Sequence, residues 1–209
     1  MTPSVPGDGD NAARTDGQEY TDRLVTLEGK RWKQVLDVQR PYRRNLQRME
    51  LGRVLDVGCG IGRNLGHLSS DSVGVDHNPT SVETCRARGL RAYTSQELPS
   101  SPEAQQGPFD ALLMAHLLEH VDVETEASIF DEYLPYLRPG GRVVVITPQE
   151  RGYASDATHI RWVDHAVVRD RFLAHGLAPI EFRSFPFPRQ LGKAFIYNEF
   201  ISIGRLVGS

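Results

Sequence analysis

Cysteine is scarce in this chain: only Cys59 and Cys85 occur, which excludes a disulfide-stapled scaffold and points to a reducing cytoplasm with both residues as structural thiols. Long apolar runs are missing too. Nothing approaches the ~18 consecutive apolar residues of a membrane span, and the first residues lack the apolar core of a secretory signal. Basic excess is also absent, since 24 Lys and Arg face 27 Asp and Glu for a net charge of -3. Without a positive footprint, nucleic acid is not the expected partner. No internal repeat is present. What remains is 209 residues of ordinary soluble composition, enough for one domain with a substantial core.

Residues 1–17 are rich in Pro, Gly, Asp and Thr with little to bury, and read as a disordered tail. From Tyr20 to Met49 the apolar residues Leu24, Val25, Leu27, Trp32, Val35, Leu36, Val38, Tyr42 and Leu46 recur at helical spacing, interrupted at Pro41. Beyond them, strands and helices alternate. Strands are expected at 53–57, 72–75, 90–93, 109–114 and 141–146, and helices at 63–69, 80–88 and 124–137, with Pro139-Gly140-Gly141 stopping the last helix. Glu181–Phe185 and Phe200–Gly204 read as a sixth and seventh strand. Alternation of this kind predicts an α/β fold: a doubly wound, mostly parallel sheet with helices on both faces.

Val54-Leu-Asp-Val-Gly-Cys-Gly-Ile-Gly-Arg63 is the most informative run. An apolar strand ends in Asp56 and enters a turn with glycines at 58, 60 and 62, which permit backbone angles closed to other residues and leave room for a ligand against the main chain. A second strand ends in Asp76, at about the 20-residue distance where a carboxylate meets ribose hydroxyls. Strand, glycine turn and distal acid together predict a nucleotide-like cofactor pocket at the carboxyl edge of the sheet.

The chain here resembles the class I S-adenosylmethionine-dependent methyltransferases. The resemblance rests on Leu55–Gly62, on Gly74-Val75-Asp76, on the strand and helix Phe109–Val121, and on the turn and strand Leu137–Thr147. It implies a Rossmann-like seven-stranded sheet with a C-terminal antiparallel strand, one methyltransferase domain over 18–209, and an N-terminal helical lid over about 18–50. The implied cofactor is S-adenosylmethionine, held by Asp56, Gly58, Cys59, Gly60, Gly62, Asp76, His77 and Ala115, with Arg43 or Tyr42 near the methionine carboxylate.

His116-Leu-Leu-Glu119-His120 is the second constellation. On a helix, positions i, i+3 and i+4 share a face, so two imidazoles and a carboxylate converge in a metal-ligand pattern. The inverted zinc-protease reading of H-x-x-E-H is rejected because the run follows a strand of a cofactor-binding sheet. His159, on the loop after the fifth strand, supplies a fourth candidate ligand, with His165 as its alternative. The set resembles metal-dependent O-methyltransferases that use Glu-x-x-Glu-His and a later His, although here His116 replaces the first Glu. With one carboxylate, the set favours a transition metal over Mg²⁺.

Methyl transfer needs an acceptor positioned in line and relieved of a proton. A divalent ion can do this for a hydroxyl; without one, His116, His120 or His159 can serve as general base. The expected reaction is O-methylation of a hydroxylated small molecule, such as a sugar, catechol-like ring or natural-product scaffold. Tyr153, Arg161 and Trp162 are placed for acceptor contact, and the late aromatics Phe182 to Phe200 pack the last strands or wall a bulky acceptor. A metal-free N- or O-methyltransferase, an RNA ribose methyltransferase and a non-catalytic cofactor-binding protein are the alternatives, as monomer or homodimer.

Overall fold

In the computed structural model, residues 39–208 are described, so the tail 1–17 and the part of the lid before residue 39 lie outside the described residues. Helix α1 spans Arg40–Arg48 and leads to β1, Val54–Val57. Then come β2 (Val73–Asp76), α2 (Pro79–Ala87), β3 (Ala92–Thr94), the one-turn α3 (Pro102–Gln105), β4 (Phe109–Ala115) and α4 (Val123–Tyr133). The chain continues through β5 (Leu137–Pro148), α5 (Glu150–Tyr153), α6 (His165–Ala174), β6 (Leu177–Phe185) and β7 (Glu199–Leu206).

The seven strands form one sheet in the order β3-β2-β1-β4-β5-β7-β6. The first five are parallel, and β7 runs antiparallel to both β5 and β6. Central strands are buried on both faces, which explains their near-continuous apolar sequence. Alternate side chains feed two cores. Leu55, Leu112 and Val143 meet Phe130 of α4 and Phe172 of α6 on one face, while Val54, Leu113 and Val144 meet Leu46 of α1 on the other. No helix among the described residues is long and apolar enough to cross a membrane.

Local chemistry sets the helix starts. Asn78 accepts from Thr80 N at 3.0 Å ahead of Pro79, Asp122 accepts from Thr125 N at 2.7 Å, and Asp164 from Ala166 N at 2.9 Å. Three expected boundaries differ. Residues 63–69 form turns with a single 3₁₀ turn at Leu65–His67, because Gly62 and Gly66 weaken any longer helix. Helix α4 ends at Tyr133 and passes into a 3₁₀ turn at Leu134–Tyr136, since Pro135 has no N–H to continue the ladder. Pro139-Gly140-Gly141 is therefore not a helix stop. It lies within β5, where the register with β4 shifts between Phe109 and Ala111.

Candidate active site

The glycine turn after β1 places Gly58, Gly60 and Gly62 at φ 71, 52 and 80°, values that strain any side-chain-bearing residue. Its N–H groups are already engaged. Gly58 and Cys59 donate to Val75 O, Gly62 to Cys59 O, and Gly60 to Asp76 Oδ2 at 2.8 Å. The turn is thus fastened to the end of β2, with Asp76 holding Gly60. Asp76 Oδ1 accepts a second main-chain N–H, from Asn78, at 2.9 Å. A Cβ on Gly62 would sit 2.5 Å from Leu90 Cδ1 and 3.0 Å from Cys85 Sγ, so this glycine faces α2 rather than open space. Cys85 donates to Gly60 O at 3.2 Å, and the buried Cys59 thiol is pushed up by its bond with Cys85 and by burial, as expected of structural thiols.

Asp56 lies behind the turn, fully buried. Burial, and then the charge of Asp76, push its carboxyl up to about 8, and its Oδ2 has no hydrogen-bond partner among the described residues.

Two cavities flank the turn at the carboxyl ends of the strands. One, of about 300 Å³, is bordered by Tyr42, Asn45, Arg63, Ala115, Tyr197 and Glu199. The other, of about 320 Å³, is bordered by Asp76, His77, Ser95, Leu117, His120 and Tyr133. Gly58, Gly60 and His116 border both.

Beside the second cavity, Glu119, His120 and His159 bring one ligand-type atom each to within 4.8 Å of one another. The imidazoles of His120 and His159 are 4.8 Å apart. His159 Nδ1 lies 2.8 Å from Tyr153 O, a carbonyl that can only accept, so this nitrogen carries the proton and Nε2 keeps its lone pair. His120 Nδ1 lies 3.3 Å from Thr158 O and 3.2 Å from Thr158 Oγ1, which donates its own hydrogen to Asp156 Oδ1, so both oxygens accept and the consequence is the same. Burial holds His120 below the ordinary histidine range, in its neutral form. Glu119 is fully buried, and its Oε2 has no partner among the described residues. A buried carboxylate with one unpartnered oxygen and two imidazoles thus bring ligand atoms to one place. That donor set fits a divalent transition metal ion.

His116 does not join this set. β4 ends at Ala115, and His116 takes φ 56°, so the run never forms the helix that would put His116 on the face of Glu119 and His120. Only Leu118–His120 is helical, as one 3₁₀ turn. Instead, His116 Nδ1 lies 3.2 Å from Glu119 Oε1 and Nε2 lies 3.0 Å from Glu199 Oε1. Partial desolvation opposes the charge of this imidazole, which is 44% exposed, but the bonds to the two carboxylates outweigh it and raise it to about 10. Both ring nitrogens of His116 are thus taken up by carboxylate oxygens.

Other expected residues fall at different depths. His165 turns away to Ser202 Oγ at 2.9 Å, leaving His159 in the cluster. Arg43 does not border either cavity; Tyr42 and Arg63 do. Arg161 is consumed in an ion pair with buried Glu126, which also binds Arg171 Nε at 3.1 Å. Tyr153 stacks on His159 with ring centroids 5.2 Å apart. Glu199, at the start of β7, is the site residue that no motif announced.

A glycine turn after β1, an acid closing β2 and this strand order define a class I S-adenosylmethionine-dependent methyltransferase. Residues 34–195 match the family model described as a methyltransferase domain, and the chain belongs to that family. It is 35% identical over 103 residues to a ubiquinone biosynthesis O-methyltransferase of Xylella fastidiosa, a match covering 46% of this chain and 41% of that protein. The match thus spans less than half of this curated relative. Among solved structures, a SAM-dependent methyltransferase from Archaeoglobus fulgidus superposes with TM-score 0.59 at 17% identity, over 78% of this chain and 92% of its own. An N-methyltransferase from Bradyrhizobium japonicum bound to S-adenosylhomocysteine superposes with TM-score 0.57 at 18% identity, over 80% and 87%.

Proposed function

We propose that the protein methylates a hydroxyl of a small molecule, with Glu119, His120 and His159 holding a divalent transition metal ion beside the reacting groups. The convergence of ligand atoms from Glu119, His120 and His159, with the buried Glu119 carboxylate keeping one oxygen unpartnered, carries this reading. Asp76, with both oxygens fixed by main-chain N–H groups, retains lone pairs for ribose hydroxyls, and His77 borders the same cavity. Gly58 and Gly60 let the cofactor pass close to the main chain into the cavity of Ala115, Tyr42 and Arg63, where the Arg63 guanidinium complements a carboxylate.

When bound, the ion supplies Lewis-acid lowering of the acceptor hydroxyl's pKa. The chain's residues do the positioning. Carbonyls of Tyr153 and Thr158 fix the tautomers of His159 and His120, so both Nε2 lone pairs stay available. Neutral His120 is also able to take the acceptor proton, which makes it the base if no ion is used.

The test is incubation with methyl-labelled S-adenosylmethionine and a panel of catechols, sugars and hydroxylated aromatics, with metal-stripped and Co²⁺- or Zn²⁺-loaded protein. Label on oxygen only in the loaded protein is expected. Equal transfer by stripped protein removes the ion, and label confined to amines removes O-methylation.

A further inference from the structure

We infer that His116 and Glu199 are positioning residues for the ion centre: Glu199 on β7 fixes His116, and His116 tethers one oxygen of Glu119 so that the other stays free for the ion held with His120 and His159. This inference rests on the proposed ion centre and extends it to two residues that are not ligands. Three observations carry it. Glu119 Oε1 has His116 Nδ1 at 3.2 Å, while Oε2 of the same buried carboxylate is unpartnered, so one oxygen is tethered and the other left over. His116 is secured at its far nitrogen by Glu199 Oε1 at 3.0 Å, across the sheet from β4 to β7. Its backbone stands at φ 56°, a conformation that a histidine keeps only where its surroundings enforce it.

The chain Glu199–His116–Glu119 has the form of the outer hydrogen bonds that orient metal ligands, whose loss typically costs roughly 10–100-fold in affinity.

The experiment is Co²⁺ titration of the full chain, followed by calorimetry and by the visible absorption of the bound ion, for wild type, His116→Ala, Glu199→Ala and Glu199→Gln. Melting temperatures of the metal-free proteins report on folding. Wild type is expected to bind one Co²⁺. His116→Ala and Glu199→Ala are expected to bind at least about tenfold more weakly with an altered spectrum. Glu199→Gln, whose amide oxygen still accepts from His116, is expected to recover most of the affinity. Unchanged or tighter binding by His116→Ala, or a Gln variant no better than Ala, overturns the positioning role and leaves the ion centre standing. Absence of Co²⁺ binding by folded wild type overturns both.

Discussion

The Asp76 carboxylate receives the Gly60 N–H at 2.8 Å, so the acid that ends β2 and the glycine turn that follows β1 form one unit. Replacing Asp76 with Ala therefore removes both the fastening of the turn and the proposed ribose acceptor. Affinity for S-adenosylmethionine is expected to fall at least about tenfold, the scale of one lost charged hydrogen bond. Calorimetry on the folded variant checks this, and an unchanged dissociation constant contradicts it.

Gly62 carries φ 80° and its missing Cβ leaves space that Leu90 and Cys85 already fill. Gly62→Ala is expected to destabilise by roughly 2 kcal/mol, combining left-handed strain with overpacking. Gly66 has nothing within 4 Å of a built Cβ. Gly66→Ala is thus the matched control, expected to melt close to wild type in a denaturant series.

Asp56 ties stability to pH. Its carboxyl is raised from 3.8 to about 8, first by burial and then by Asp76, so the folded chain holds a proton that the unfolded chain releases. The stabilisation is complete below about 3.8 and is lost progressively as pH rises towards 8. The slope is at most about 1.4 kcal/mol per pH unit. Asp56→Asn, neutral at every pH, is expected to flatten this decline in urea melts between pH 5 and pH 8, ~3 units of the titration range. A wild-type slope retained by the variant assigns the dependence elsewhere.

Glu126 is fully buried between Arg161 and Arg171, and Arg161 lies on the loop that carries His159. Glu126→Ala leaves two guanidinium groups without their shared carboxylate, and a loss of about 3 kcal/mol or more is expected. The same variant is expected to bind Co²⁺ more weakly, because the His159 loop loses its anchor on α4. Thermal melts and metal titration read the two effects separately.

The parallel part of the sheet was legible in the sequence because its central strands are apolar runs bounded by turn residues, and the turn Gly58–Gly62 marks where the ligand edge lies, whereas the mixed, partly exposed β6 was read only over Glu181–Phe185 of its Leu177–Phe185 span. Side-chain direction in HLLEH was not legible. Helical spacing put His116, Glu119 and His120 on one face, but the chain turns left-handed at His116, and histidine's enrichment at positive φ is too weak to mark one position in a sequence. His159 was legible from its loop, since that loop leaves the carboxyl edge of β5. Glu199 carried no signal at all: it reaches His116 only through the antiparallel register that sets it opposite Pro148 of β5.

The most direct test is elemental analysis of purified protein, run beside S-adenosylmethionine calorimetry, for wild type and a His120→Ala/His159→Ala variant. Stoichiometric divalent metal is expected in wild type after reconstitution, with its loss in the variant and cofactor binding in both. Metal retained by the variant, or none taken up by wild type, contradicts the ion centre; folded wild type that binds no S-adenosylmethionine contradicts the cofactor site itself.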